Sequence, residues 1–332
     1  MSNDNRENRP VVAVDIGGTK IMTALFSASG ALVDRDVCPT LADRGVDDVL
    51  ERLAANIRGL MRRNKLTPEQ VGAVSIASAG GIDTGRGVVV TPSPHLPGWD
   101  NLPLCDIYRR ELGIRTFVLN DASAAALGEH RYGAGKDAQH LVLFTLGTGI
   151  GGGIIIDGKL YLGAAGGAGE IGHMTVDAHG PKCGCGNTGC LEMLASGSAI
   201  ERDTLACLDR GEKSSLADIA KKRNNGIKVE DVAAVARSGD KLANDVITRA
   251  AFYLGIGFIN ITNIFNPELI IYGGGMAELG EMIVGPGRKM VAERAFSISA
   301  RTVRIVKAAL ANEAGIYGAA AFGLDMARRE RV

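Results

Sequence analysis

Four side chains able to share one metal ion stand close together in the chain: His173, Cys183, Cys185 and Cys190. Three thiolates and one imidazole are the donor set of a closed, four-coordinate zinc site. A disulfide between Cys183 and Cys185 would close a small ring across a single glycine and strain the bond's preferred geometry. Redox chemistry of the thiols is the other reading. Cys38, Cys105 and Cys207 follow no spacing, so the even total of 6 cysteines is no sign of a disulfide framework. Glu170 lies one helical turn before His173, and Glu192 lies just past Cys190. A metal would pin both carboxylates. The plainer readings are that Glu170 orients the liganding imidazole and that Glu192 is solvated.

A second kind of chemistry is carried by glycine turns that follow apolar runs. The first is Asp15-Ile16-Gly17-Gly18-Thr19-Lys20, which ends the apolar run Val11–Val14. The second is Gly147-Thr148-Gly149-Ile150-Gly151-Gly152-Gly153 after Leu141–Leu146, and the third is Gly273-Gly274-Gly275 after Leu269–Tyr272. Glycine lets backbone N–H groups approach a phosphate closely, while Thr19, Thr148 and Lys20 add side-chain donors. Each turn alone is more often only a tight turn. Together they point to a nucleotide. None fits the GxxxxGK[ST] pattern, and strand-turn-strand replaces the strand-turn-helix of a dinucleotide-binding unit.

Asn120-Asp121 sits where a short strand gives way to an alanine-rich helix. Asp121 reads either as the helix N-cap or as a general base at a strand's carboxyl end. Asn120 suits hydroxyl binding. His95 stands alone in a loop with Pro92, Pro94 and Pro97, where a surface histidine is the simpler reading.

The elements that must position these residues follow from periodicity. Val11–Val14 and Ile21–Phe26 read as strands around a turn, and Leu141–Leu146 with Ile154–Ile156 repeat the layout. Two copies of one hairpin module suggest two similar halves facing each other across a cleft. Helical spacing marks 47–63, 122–129, 232–237, 241–264 and 314–328. Strands are expected at 71–76, 117–119, 269–272 and 303–306, with loops at Ser78–Gly81 and Thr91–Gly98.

Composition excludes other classes. With 332 residues, 46% of them hydrophobic, the chain can bury the core of two domains. A net charge of +0 offers no electrostatic grip on nucleic acid or an anionic membrane. The polar start of the chain has no signal-peptide character, and no run is long enough to span a bilayer. With cysteines that do not pair, this points to a cytoplasmic protein.

Taken together, the segments Asp15–Lys20, Leu96-Pro97-Gly98-Trp99, Asn120-Asp121-Ala122, Leu146–Gly153, Gly169-Glu170-Ile171-Gly172-His173 and Cys183–Glu192 resemble those of the ROK family of sugar kinases and repressors, from about residue 11 to 325. The resemblance implies an α/β fold of two actin-like ATPase (ribonuclease H-like) domains with a cleft between them. Residues 1–120 plus 313–332 would form the smaller domain and 121–312 the larger one, with the zinc site and the adenosine-binding part. It implies that Asp121 is the catalytic base and Asn120 a sugar hydroxyl ligand. Glu170, His173 and Glu192 would contact the anomeric side of the ring, with His173 binding zinc through one nitrogen and sugar through the other. Gly80 and His95 would lie near the sugar. Asp15, Gly17, Gly18, Thr19, Lys20, Thr148 and Gly149 would serve ATP and its Mg²⁺, and Gly274 and Gly275 would shelve the adenosine. The implied reaction is ATP-dependent phosphorylation of the 6-hydroxyl of glucose. An N-acetylhexosamine such as N-acetylmannosamine is the alternative, because Gly81 stands where bulkier residues are common and could leave room for an acetyl group. Too few residues precede the first strand for the winged helix of the family's repressors, and the resemblance implies a homodimer or homotetramer.

Overall fold

The protein is described from a computed structural model over residues 9–93 and 96–329. Its strands are β1 (Val11–Ile16), β2 (Lys20–Phe26), β3 (Leu32–Pro39), β4 (Ala73–Ser78), β5 (Gly81–Asp83), β6 (Val88–Thr91), β7 (Thr116–Asn120), β8 (Leu141–Leu146), β9 (Ile150–Ile156), β10 (Lys159–Leu160), β11 (Leu269–Gly273) and β12 (Arg304–Lys307). Its helices are α1 (Val46–Arg63), α2 (Leu104–Leu112), α3 (Asp121–Tyr132), α4 (Glu192–Ala195), α5 (Gly197–Asp209), α6 (Leu216–Lys222), α7 (Val229–Arg237), α8 (Lys241–Phe265), α9 (Glu281–Arg294), α10 (Ser297–Thr302) and α11 (Ala314–Arg328).

Two five-stranded sheets have the same topology, β3-β2-β1-β4-β7 and β10-β9-β8-β11-β12. In the first, an antiparallel hairpin (β1, β2) continues into parallel β4 and β7. In the second, β8 runs parallel to β11, and β11 parallel to β12. The duplicated hairpin legible in the sequence is thus a duplicated sheet. β4 is buried at every position, its two serines included, because strands flank it on both sides and α11 packs on it.

Of the described residues, those within 1–137, 153–169 and 309–332 form one compact unit and those within 138–152 and 170–308 the other. The division expected at 120/121 therefore falls inside the first unit. The reason is α3, which packs along α11 through glycines. A Cβ on Gly318 would collide with the Ala124 carbonyl, and one on Gly128 with the Ala314 carbonyl, so the two backbones touch too closely to belong to separate bodies. In the first unit α1 buries Val49, Leu53, Ala54, Ile57, Leu60 and Met61 along one stripe.

In the second unit α8 is capped by Asp240, whose carboxylate accepts the Ala243 N–H at 3.1 Å, and ends at Asn266 in the left-handed region before Pro267. Contrary to the sequence reading, α8 has the length and apolar composition to cross a membrane. In this fold 56% of its apolar window is buried, and α5, α7 and α9 pack on it as on a core helix.

Candidate functional site

In the first unit the candidate residues collect at one edge. β1, β4 and β7 are parallel, and the register Ile16↔Ser78↔Asn120 brings their carboxyl ends level. The Gly17–Thr19 turn, the Gly80 loop and Asn120-Asp121 therefore share the edge where open α/β sheets bind ligands. The turn is closed by Gly17 N–H to the Lys20 carbonyl (3.0 Å). Buried Thr40 ties down its carbonyls: its hydroxyl donates to Gly17 O (2.6 Å) and its N–H to Thr19 O (2.9 Å). Carbonyls that would repel a phosphate are thus occupied, while Thr19 and Lys20 stay exposed. Thr40 gave no signal in the sequence.

The cap of α3 is Asn120, not Asp121. Its Oδ1 accepts the N–H groups of Ala122 (2.9 Å) and Ser123 (3.1 Å), and its Nδ2 donates to the Gly80 carbonyl (3.1 Å). One amide hydrogen of Asn120 remains for a hydroxyl. Asp121 is the first helical residue and half-buried, and its Oδ1 accepts the Ala122 N–H at 2.8 Å. Burial pushes the Asp15 carboxyl up to about 7, the charge of Asp121 pushes it the same way, and Lys20 draws it back. Asp15 has room because Gly315, in the first turn of α11, lacks a side chain: a Cβ there would stand 2.6 Å from Asp15 Oδ2. Gly315 was not recognised in the sequence.

The loop after β4 removes one expectation. Gly80 has φ 108°, and a Cβ there would lie 2.5 Å from the Thr91 carbonyl. A Cβ on Gly81 would collide with Thr91 Oγ1, which accepts the Gly81 N–H at 3.1 Å. Thr91 fills the space beside both glycines, so they open no pocket for an acetyl group. His95 lies outside the described residues.

In the second unit the four donor atoms of His173, Cys183, Cys185 and Cys190 lie within 4.8 Å of one another. Cys185 Sγ is 3.7 Å from Cys190 Sγ, and His173 Nδ1 is 3.6 Å from Cys183 Sγ. A tetrahedral zinc with its usual bond lengths sets S···S at about 3.8 Å and S···N at about 3.6 Å. The cradle fits that ion, and the three cysteines are free thiols in this structure. Backbone bonds hold it: Cys183 N–H to Asn187 O (2.8 Å), Gly186 N–H to Cys183 O (3.0 Å) and Gly189 N–H to Pro181 O (2.8 Å). Gly189 has φ 68°, and a Cβ there would strike the Asp177 carbonyl.

Beside the cradle, His173 turns Nε2 toward Glu170 Oε2 at 3.9 Å. A short 3-10 turn, 171–173, sets that pairing. Burial raises the Glu170 carboxyl above its ordinary range; His173 opposes this and Glu192 adds to it. Glu170, His173 and Glu192 are therefore one cluster. Glu192 is not simply solvated: its Oε2 accepts the Ile150 N–H at 2.8 Å. A Cβ on Gly149 would meet that carboxylate, so a side chain there would displace Glu192 from the Ile150 N–H.

The Gly147–Gly149 turn is tied down as the first turn is. Gly197 N–H donates to Gly147 O (2.8 Å) and Ser198 N–H to Thr148 O (3.3 Å), both from the start of α5. Gly151, Gly152 and Gly153 belong to β9 rather than to the turn. A Cβ on Gly153 would crowd Ala122 and Ser123 of α3, so that glycine serves helix packing. The register Gly273↔Thr145 brings Gly274 and Gly275 to the same edge as Thr148. A cavity of about 300 Å³ opens there, bordered by Gly147, Thr148, Gly275 and Met276. Gly274 has φ 89° and its backbone presses on Leu146, whereas a Cβ on Gly147 or Gly275 would meet nothing within 4 Å. The protein's own packing does not require glycine at these two positions. The larger hollow in the first unit, about 820 Å³ between Leu25, Val33, Leu66 and Arg328, contains none of the turn residues.

A strand hairpin closed by a phosphate-type turn, extended by parallel strands and present twice, defines the two-domain actin-like ATPase fold, and solved kinases of like architecture share it. The sequence matches the ROK family over residues 11–325, and the chain belongs to that family. It is 36% identical over 313 residues to a glucokinase of Thermotoga maritima, covering 93% of this chain and 96% of that one. The solved ROK glucokinase of Streptomyces griseus, in complex with glucose and AMPPNP, superposes with a TM-score of 0.76 at 33% identity, covering 94% of this chain and 98% of the other. A xylose repressor of Caldicellulosiruptor bescii is 30% identical over 95% of this chain, which spans 78% of the repressor.

Proposed function

We propose that this protein is an ATP-dependent glucokinase that transfers the γ-phosphoryl group to the 6-hydroxyl of glucose. The observation that carries the reading is the division of labour at the start of α3. Asn120 takes the capping duty, which leaves Asp121 as the first helical residue at the carboxyl end of β7. Glucokinases at 33–36% identity over nearly the whole chain support the same reading. Thr91 beside Gly80 and Gly81 favours glucose over an N-acetylhexosamine.

Phosphoryl transfer depends on positioning and charge stabilisation more than on covalent help from the protein. Asp121 accepts the proton of the attacking hydroxyl. Asn120 donates its remaining amide hydrogen to a neighbouring hydroxyl. Glu170, His173 Nε2 and Glu192 hold the hydroxyls on the anomeric side. Thr19, Lys20 and the two tied-down turns receive the phosphates. Zinc would be held by His173 Nδ1, Cys183, Cys185 and Cys190, where it fixes the imidazole and the knot around it. Mg²⁺ bound with ATP would neutralise phosphate charge, and Asp15, buried beside Lys20 and Asp121, would be its anchor on the protein. A coupled assay across glucose, mannose, fructose, N-acetylglucosamine and N-acetylmannosamine tests the reading: glucose should give the highest kcat/KM, and inactivity on every sugar would sink it.

Two smaller predictions follow from the geometry. Gly275→Ala meets no protein atom, so melting should be unchanged while the KM for ATP rises about tenfold through crowding of the nucleotide. An unaltered KM would take Gly275 out of the site. The second concerns pH. The carboxyl of Asp15 is raised in the folded state, so it binds its proton there between about pH 4 and 7 when the unfolded chain has lost it. Its contribution to stability is present below that window and disappears as pH rises through 7. Wild type minus Asp15→Asn should therefore show a stability difference that falls from pH 5 to pH 8 in thermal melts. Mg·ATP favours the charged carboxylate, so its binding should tighten over the same range and release a proton, read by calorimetry in two buffers of different ionisation enthalpy. Binding heats independent of the buffer would contradict this.

A further inference from the structure

We propose that Glu201 accepts a ribose hydroxyl of the phosphoryl donor in the cavity beside Thr148, and that the donor is thereby restricted to nucleoside triphosphates and excludes inorganic polyphosphate. This rests on the kinase reading above and extends it to the choice of donor. The cavity, about 300 Å³, is of nucleoside size. Its floor is Gly147 and Gly275, whose missing side chains no protein neighbour explains, and buried Met276 gives it an apolar wall.

The far side is acidic. Glu201 comes from α5, and its Oε1 accepts the N–H of Val229, the first residue of α7, at 3.1 Å. That bond fixes the carboxylate at the cavity wall. Lys228 Nζ stands 4.0 Å from the same oxygen and balances one charge, while Glu230 adds a second carboxylate to the lining. A carboxylate only accepts hydrogen bonds. It therefore suits the O–H donors of a ribose and opposes phosphate oxygens. A polyphosphate running on from the Thr148 turn would meet two carboxylates and one ammonium, a net repulsive wall.

The simpler role for Glu201 is to cap α7 by satisfying the Val229 N–H. The experiment separates the two roles. Initial rates at saturating glucose are measured with ATP, 2′-deoxyATP, 3′-deoxyATP and polyphosphate for wild type and Glu201→Gln; the variant keeps an acceptor for Val229. Wild type should lose about tenfold or more in kcat/KM with one of the deoxy donors, as expected when a charge-assisted hydrogen bond is removed, and should give no turnover with polyphosphate. In Glu201→Gln the KM for ATP should rise, the ratio between ATP and that deoxy donor should shrink to about twofold, and the KM for glucose should hold. Equal use of ATP and both deoxy donors by wild type, an unchanged ratio in the variant, or turnover with polyphosphate would each overturn the proposal. A purely structural role lowers all nucleotides alike and leaves the ratio intact. Absence of sugar phosphate from every donor would instead sink the kinase reading itself.

Discussion

Asp121→Asn should fold and melt like the wild type and lose at least about 10²-fold in kcat, the low end of what a positioned general base contributes. The stability half of this expectation comes from the cap. The Ala122 and Ser123 N–H groups are held by Asn120, and an amide at position 121 can still accept the Ala122 N–H that Asp121 now accepts. The turnover half comes from chemistry: an amide oxygen does not take the hydroxyl's proton. The KM for glucose should move far less than kcat, because a base acts in the transition state and not in ground-state binding. Removing a negative charge near Asp15 should also let its carboxyl ionise at lower pH. Near-wild-type turnover in Asp121→Asn would remove Asp121 from the mechanism. A KM effect without a kcat effect would make it a binding residue.

The second large effect is expected from the cradle. Elemental analysis should find zinc in the purified protein, about one ion per chain, and Cys190→Ala or exhaustive chelation should remove it. Sugar affinity measured by calorimetry should then fall by at least about tenfold, the range seen when groups that orient metal-bound ligands are disturbed. Binding of an ATP analogue should survive. The asymmetry follows from what each part hangs on. His173 presents Nε2 toward Glu170 only while Nδ1 is held on the cradle side, and the chain from Cys183 to Glu192 carries the last carboxylate of the cluster. The phosphate turns are carried by paired strands and tied by Thr40 and by the start of α5. Full sugar affinity in metal-free protein would refute the role given to the ion.

Much of the site was legible from spacing because its parts are local. The cradle's three cysteines lie in one short, glycine-punctuated segment, and their side chains can hardly avoid one another. The first two glycine turns each connect a hairpin, so strand, turn and strand are read off together. The cap was not legible: Asn120 and Asp121 are both good caps, and only the backbone conformation at 120, φ −63° and ψ 144°, assigns the duty. The packing role of some glycines was not legible, because it is set by a distant neighbour. Gly149 lies against Glu192, Gly153 admits α3, and Gly81 is filled from Thr91.

By itself, then, the sequence determined the donor set, the repeated strand-turn-strand module and the identity of the residues at each turn, because these depend on contacts between near neighbours in the chain. Only the tertiary structure decided which glycine packs against protein and which meets open space, which residue caps α3, and to which unit α3 belongs. Those answers depend on backbones brought within van der Waals distance by sheet register and helix packing, and no local pattern records such distances.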